Sequence, residues 1–343
     1  MSSEMISIAP VVYYYRGQSL TYERVLSLLT AENEDEIKNA LKGTWLEGIS
    51  VDLSKPEAVE REAYKKYLQV LDALRAHVNS MDMRLLIEVM KDYVRARDVM
   101  LLLRAKASNK PIEEVEEYLI FTEDPLISTL KTLLKERGFE ALAQGLKGFR
   151  MARDIEYSLE LFRSTNDEKA MVLALDVALL NALLRLTNRI GKKVNVGTSR
   201  IEFTKLLCPR IDTLSFVMAA RLVIEGIEPK TQIPSCHPEV VSQILQSKRD
   251  DIVPILRRTP YGEGLPDDLY DALGKLLVNG KRIQRKRAEA VFAGYPFRPS
   301  TLVALMLLYR LDAEDISTIV SGKRLGIDIS KISEMLSFEL IKK

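Results

Sequence analysis

Cysteine and histidine are scarce in this chain, with two of each among 343 residues. So few cysteines argue against a disulfide-rich extracellular scaffold and indicate a reducing, cytoplasmic compartment. Structural zinc normally takes four ligands in closely spaced pairs, and the chain offers only Cys208, Cys236 and His237. Three alternatives stay open for these residues: a zinc site, a disulfide between the cysteines, and simple packing.

Long apolar runs are also lacking. A transmembrane helix needs about 18 or more uninterrupted apolar residues. The nearest candidate, 171–184, is shorter and carries Asp176 and Asn181, whose burial in lipid is costly. We therefore expect no direct membrane insertion.

No sign of charge dominates the sequence. Its 50 basic and 48 acidic residues leave a net charge of +2. With positive and negative charges nearly equal, the chain has no overall positive potential that would attract a polyanion. Nucleic-acid binding is therefore not expected.

Motifs for nucleotide or metal chemistry are missing. The glycine cluster at 261–266 has no lysine to hold phosphates and is typical of a turn. Asp267, Asp268 and Asp271 have the spacing of a Mg²⁺-diphosphate motif, but they follow Pro266, where acidic residues equally favour a helix start. We expect no catalytic residue, metal or cofactor.

The residues that are abundant favour helices. Aromatic residues make up only 7% of the chain, and the sequence is rich in leucine, alanine, glutamate, lysine and arginine. Apolar positions recur at helical spacing through most of the sequence, as from Pro56 to Leu74. Helices are also predicted at 201–207, 212–225, 302–311 and 316–321, the last beginning after acidic residues at 312–315. The fold class is therefore predicted to be all-α.

An arrangement of a long helix, a closing Leu-Arg or Tyr-Arg pair and shorter helices recurs along the chain. The pairs end at Arg16, Arg104, Arg185 and Arg310, about 80 to 125 residues apart, which is too long for common short repeats. This predicts similar helical domains at 1–110, 111–227 and 228–343. The arginines either neutralise helix ends or line a shared cavity.

The densest charge feature is a basic run at 281–287. It could coat a solvated helix face, dock an acidic protein, or bind phosphate or lipid headgroups. Its candidate interface residues are Lys281, Arg282, Arg285, Lys286 and Arg287.

Several segments together resemble one known family. They are the helix, Arg-x-Lys, turn and short helix at 101–115, the Asp, Asn and Arg helix at 176–185, and the closing segments at 295–297, 302–315 and 322–324. The pattern is similar to the C-type subunit of archaeal-type rotary ATP synthases and ATPases, whose equivalent in the vacuolar ATPase is the d-type subunit.

This resemblance implies a non-catalytic central-stalk subunit made of three similar helical bundles in a funnel-like, pseudo-threefold arrangement. Its partners would be the D- and F-type shaft subunits and the membrane proteolipid ring. It would lie peripherally on the cytoplasmic face of the membrane and be monomeric when isolated. The alternative is a helical scaffold or adaptor unrelated to rotary motors.

Overall fold

The computed structural model describes residues 2–193, 197–229 and 232–340. In these ranges the chain is built of helices and turns and contains no β-strand, which confirms the all-α prediction. The α-helices are α1 Ser2–Arg16, α2 Tyr22–Thr30, α3 Glu34–Leu41, α4 Pro56–Ala76, α5 Met81–Ala107, α6 Glu113–Glu116, α7 Pro125–Glu136, α8 Leu142–Gly145, α9 Ala152–Thr165, α10 Glu168–Lys193, α11 Gly197–Glu225, α12 Pro238–Leu245, α13 Ile252–Arg257, α14 Leu269–Val291, α15 Pro299–Arg324 and α16 Ile329–Met335.

Helix starts follow local sequence chemistry. Asn33 caps α3 by accepting a hydrogen bond from the Glu36 amide, and the Glu36 carboxylate accepts bonds from the Asn33 side chain and the Glu32 amide. Asp124 caps α7 in the same way, with Pro125 in the first helical position. Such caps satisfy amides that have no partner within the helix.

The chain divides into two compact units. Unit 1 comprises Met1–Glu88, Leu186–Pro209 and Val278–Lys343, and unit 2 comprises Val89–Arg185 and Arg210–Leu277. The three-domain division with pseudo-threefold symmetry stays a prediction.

Helix α15 forms the centre of unit 1 and packs against α4 and α1. Trp45 stacks on Tyr309 with ring centroids 4.5 Å apart, and the Tyr67 hydroxyl donates to the Met306 carbonyl at 2.7 Å. Almost every side chain from Pro299 to Ile316 is buried, so α15 is covered on all sides.

The prediction that this helix ends near Leu311 is wrong, because α15 continues to Arg324. The acidic residues at 312–315 have the pattern of a helix cap, but Asp312 and Asp315 are buried and accept bonds from the side chain of Arg285. Their pattern therefore marks a tertiary contact rather than a helix start.

The prediction of separate helices at 201–207 and 212–225 is also wrong, since α11 runs through Pro209. Proline has no amide hydrogen for the carbonyl four residues earlier, which is that of Lys205. The guanidinium of Arg287 donates to this carbonyl at 2.9 Å. A donor from another helix thus replaces the missing bond and lets α11 continue.

The core of unit 2 is formed by α5, α7, α9 and the first half of α10. The buried carboxylate of Asp98 on α5 accepts bonds from the Ile120 and Phe121 amides at 2.7 to 3.1 Å. Burial raises the pKa of Asp98, and these amides oppose the shift.

Residues 170–187 of α10 are apolar enough to cross a membrane, and 61% of this stretch is buried inside the protein. Met171, Leu175 and Leu179 belong to the unit 2 core. Such burial is typical of a core helix, and the absence of membrane insertion stays a prediction.

Candidate functional site

The basic run lies on α14 in unit 1, and most of its side chains bind other parts of that unit. Lys281 forms an ion pair with Glu314 at 2.7 Å. Arg282 donates to carbonyls at the end of α16, those of Ser333, Glu334 and Leu336. These contacts satisfy carbonyls that a helix end leaves without partners.

Arg285 is the centre of a buried ionic cluster. Its side chain is 3% exposed and donates to Asp312 at 2.6 Å, to Asp315 at 3.4 Å and to the Ser337 hydroxyl at 2.6 Å. Its guanidinium also lies 3.8 Å from the centre of the Phe338 ring. The expectation that Arg285 is presented to a partner is therefore corrected: its charge is used inside unit 1.

The carboxylates of Asp312 and Asp315 also bind the N-terminal and C-terminal segments of unit 1. Asp312 accepts bonds at 3.0 Å from the Leu20 amide and from the Trp45 indole. Asp315 accepts from the amide and hydroxyl of Ser337. Burial raises the pKa of Asp315, and the positive charge of Arg285 lowers it. The Arg285 cluster thus joins the N-terminal segment, α14, α15 and the C-terminal segment.

Among the five basic residues, Lys286 alone is exposed. Arg287 is half-buried and donates a hydrogen bond to the Lys205 carbonyl, which Pro209 leaves without its helical partner. Only Lys286 and the exposed parts of its neighbours are therefore available to a partner, and an interface role of the basic run stays a prediction.

The four recurring arginines occupy different environments. In unit 1, Arg16 is the last residue of α1 and its guanidinium lies 5.4 Å from the centre of the Phe292 ring. Arg310 is fully buried in the middle of α15 and donates to the Gln284 side chain at 2.8 Å. Arg16 is thus at a helix end, whereas Arg310 is a core residue.

In unit 2, Arg104 and Arg185 are exposed. Arg104 lies in the last turn of α5, and Arg185 lies within α10. Burial raises the pKa of Asp154 to about 6, while the nearby charge of Arg185 lowers it and that of Asp92 raises it. A cavity role for the four arginines stays a prediction.

Neither cysteine is free, because Cys208 and Cys236 are both disulfide-bonded. A disulfide-bonded cysteine is not available to zinc, which binds cysteine as a thiolate. The proposed third ligand, His237, instead places its Nδ1 atom 2.7 Å from the buried Asp212 carboxylate.

Asp212 organises the segment before α12. Its carboxylate accepts bonds from the Ser235 hydroxyl at 2.8 Å, the Cys236 amide at 2.7 Å and the Tyr261 hydroxyl at 2.8 Å. The His237 amide also donates to this carboxylate, and the His237 ring lies against it. The Asp212 carboxylate therefore holds the chain in place at the beginning of α12.

Two carboxylates of the possible Mg²⁺ motif bind neighbouring groups of the chain. Asp267 forms an ion pair with Arg257 at 2.5 Å, and Asp268 accepts from the Tyr270 and Asp271 amides at the start of α14. The open cavity of about 510 Å³ beside them also includes Arg249 and Arg257. The Asp268 carboxylate therefore caps the start of α14 and the Asp267 carboxylate pairs with Arg257, while a Mg²⁺-diphosphate role stays an untested alternative.

Sequence reasoning missed an exposed apolar surface in unit 1. Tyr22 and Leu26 lie one turn apart on α2 and are 37% and 39% exposed. Helix α16 packs against α2. Its first residue, Ile329, is 48% exposed, and Leu325, which follows the end of α15, is 73% exposed. We call these four residues the α2–α16 surface. The i, i+4 spacing of Tyr22 and Leu26 is a signal that could have been noticed, but pairing with α16 depends on the fold.

A comparison with curated proteins returns no match. The family model described as "ATP synthase (C/AC39) subunit" matches residues 8–335, which is nearly the whole chain. The all-α fold agrees with that match, and the protein belongs to the ATP synthase (C/AC39) subunit family.

Proposed function

We propose that this protein is a non-catalytic central-stalk subunit of a membrane rotary ATP synthase or ATPase. It would couple the D- and F-type shaft subunits to the membrane proteolipid ring and so transmit torque between ATP turnover and ion transport. It would lie peripherally on the cytoplasmic face. The observation that carries this proposal is the family match over residues 8–335.

The internal construction of the chain supports a mechanical role. Helices α5, α10, α11 and α15 contain 27, 26, 29 and 26 residues. At about 1.5 Å per residue, each is about 40 Å long. Within unit 1, the Arg285 cluster fixes α14 and α15 to both terminal segments, which limits their sliding under load.

The α2–α16 surface is suited to a protein partner. Large apolar side chains exposed together often mark an interaction site. Helix α3 packs against α2 and begins with Glu34, Asp35 and Glu36, preceded by Glu32, so one flank is acidic. We propose that its occupant is an amphipathic helix of a partner subunit, with an apolar stripe and a basic flank.

Affinity purification tests this role. Tagged protein is added to detergent-solubilised native membranes from cells that lack it, at low salt, and the eluate is identified by mass spectrometry. We expect nucleotide-binding subunits, shaft subunits and proteolipid to elute together. Replacing Leu26 and Leu325 by Asp should reduce their recovery at least ten-fold, since two apolar anchors are lost and the new charge repels the partner's apolar stripe.

Met81 provides a matched control, because it is an apolar residue of unit 1 that is 80% exposed outside this surface. Met81→Asp should leave recovery unchanged. Equal recovery with the double variant would refute the docking surface. Recovery of no ATPase subunit with the native sequence would refute the rotor role and favour the helical adaptor.

A further inference from the structure

A second surface of unit 1 combines exposed aromatic and apolar side chains. Ile6, Pro10 and Tyr14 follow one another at intervals of four residues on α1, and Ile6 and Tyr14 are 58% and 65% exposed. They form one stripe about 12 Å long, because a helix rises about 1.5 Å per residue. In the connection between α14 and α15, Tyr295 is 57% exposed.

Direct contacts join α1 to this connection. The rings of Tyr13 and Phe292 meet edge to face with centroids 5.5 Å apart, and the Tyr13 hydroxyl donates to the Phe292 carbonyl at 3.4 Å. The Arg16 guanidinium also lies against Phe292, 5.4 Å from the ring centre. Tyr14 and Tyr295 therefore belong to one region of the unit.

Basic residues border the same region. Arg298 lies 5.9 Å from the Tyr295 ring centre and forms an ion pair with Glu202. Near Glu202 on α11, Lys205 is exposed, and its carbonyl binds Arg287 of α14. The exposed Lys286 is adjacent to Arg287.

Cations outnumber carboxylates around the region. The basic side chains are Arg16, Lys205, Lys286, Arg287 and Arg298, the acidic side chains beside them are Glu202 and Glu289, and the sequence of α1 adds Glu4. Arg298 and the Ser300 hydroxyl both bind the carboxylate of Glu202, so the charges of Arg298 and Glu202 largely cancel and the attraction for an anion rests mainly on the remaining basic side chains. We call the whole region, with Ile6, Pro10, Tyr14 and Tyr295, the aromatic–basic surface.

We propose that the aromatic–basic surface rests on the anionic lipid headgroups of the membrane. A tyrosine ring has an apolar body and a polar tip, and this side chain is enriched at membrane–water interfaces. Lysine and arginine beside it attract anionic lipids electrostatically. The inference rests on the proposed function, which places the protein at a membrane surface without inserting it.

Vesicle flotation tests the proposal with the purified full chain. The chain should float with vesicles of phosphatidylcholine and phosphatidylglycerol at low salt, and remain unbound with phosphatidylcholine alone. Lys286→Gln should weaken binding about five-fold, the equivalent of about 1 kcal/mol for one basic residue near an anionic surface. Tyr14→Ser with Tyr295→Ser should weaken it by about ten-fold or more, because two interfacial rings are lost.

Tyr270 supplies the control, since it is also 57% exposed but belongs to unit 2. Tyr270→Ser should bind vesicles as the native sequence does. Native fluorescence of the buried Trp45 verifies that the unit 1 variants are folded, and the helical circular dichroism of the whole chain verifies Tyr270→Ser.

The lipid proposal is overturned if the native chain does not float with anionic vesicles, or if the Tyr14/Tyr295 variant floats equally well. It is also overturned if this variant binds vesicles normally but loses the ATPase subunits in detergent, because the surface then docks protein. Loss of vesicle binding with full recovery of those subunits supports it. Failure of the native chain to recover subunits refutes the rotor role independently of vesicle binding.

Discussion

Replacing Arg285 by Met tests whether the basic run is structural or an exposed patch. The guanidinium is 3% exposed and lies 2.6 Å from Asp312, which is itself fully buried. Its loss would leave Asp312 and Asp315 without their main positive partner. Breaking a buried ion pair by removing one member costs about 3–5 kcal/mol, a large part of the about 5–15 kcal/mol that stabilises a protein.

The single tryptophan makes the measurement specific to unit 1. Trp45 donates its indole N–H to Asp312 at 3.0 Å and is buried. Its fluorescence during urea titration therefore follows the region around the cluster. Lys286→Met removes the same charge from the neighbouring, exposed position and should change the free energy of unfolding by less than about 0.5 kcal/mol.

The destabilisation by Arg285→Met should decrease as the pH falls from 7 to 5. Burial already raises the pKa of Asp315, and the loss of Arg285 removes a charge that lowers it, so the folded variant takes up a proton more readily. A raised folded-state pKa contributes stability that is present below the unfolded pKa and lost as pH rises through the folded value. Equal stabilities of Arg285→Met and Lys286→Met at pH 7, or a pH-independent difference, would refute this reasoning.

Three further changes test other parts of the fold. Gly322→Ala would place a Cβ 2.6 Å from the side chain of the buried Ile332, so it should destabilise unit 1 by about 1–3 kcal/mol in urea titrations. Combined with Ile332→Ala, it should cost clearly less than it does alone, and strict additivity of the two changes would contradict the clash. Asp212→Asn replaces the carboxylate that accepts a hydrogen bond from the His237 amide by a weaker, neutral acceptor. Hydrogen exchange at that amide should therefore speed up at least ten-fold. Unchanged exchange would contradict the role of this carboxylate. Asp154→Asn should raise the melting temperature at pH 8 but not at pH 4, because burial raises the pKa of Asp154 from 3.8 to about 6, and the stability of the native chain is lost progressively as the pH rises between these two values. An equal gain at both pH values would contradict the assignment.

The helices could be predicted because they depend on the spacing of apolar residues along the sequence. The apolar stripe from Pro56 to Leu74 becomes α4, with Val59, Tyr67 and Leu74 buried. Helix ends were less predictable, since an acidic cap and a buried acidic pair look the same in sequence. Asp312 and Asp315 differ from caps only because Arg285 reaches them from α14.

The candidate site was predictable only in part. The basic run was visible as a dense group of charges, but its sequence does not say which side chains face inward. Lys286 is exposed while Arg285 beside it is buried, because successive helical residues point about 100° apart and α15 covers one face of α14. The α2–α16 surface was missed because its members are distant in sequence.

The sequence by itself determined the helical class, the lack of a nucleotide motif and the similarity that the family match confirms. These features depend on composition and on short-range order, which neighbouring residues carry. The tertiary structure alone decided that Arg285 is internal, that Arg287 replaces the bond lost at Pro209, and which apolar side chains stay exposed. The physical reason is that burial and pairing of a charge depend on residues brought together from distant parts of the chain.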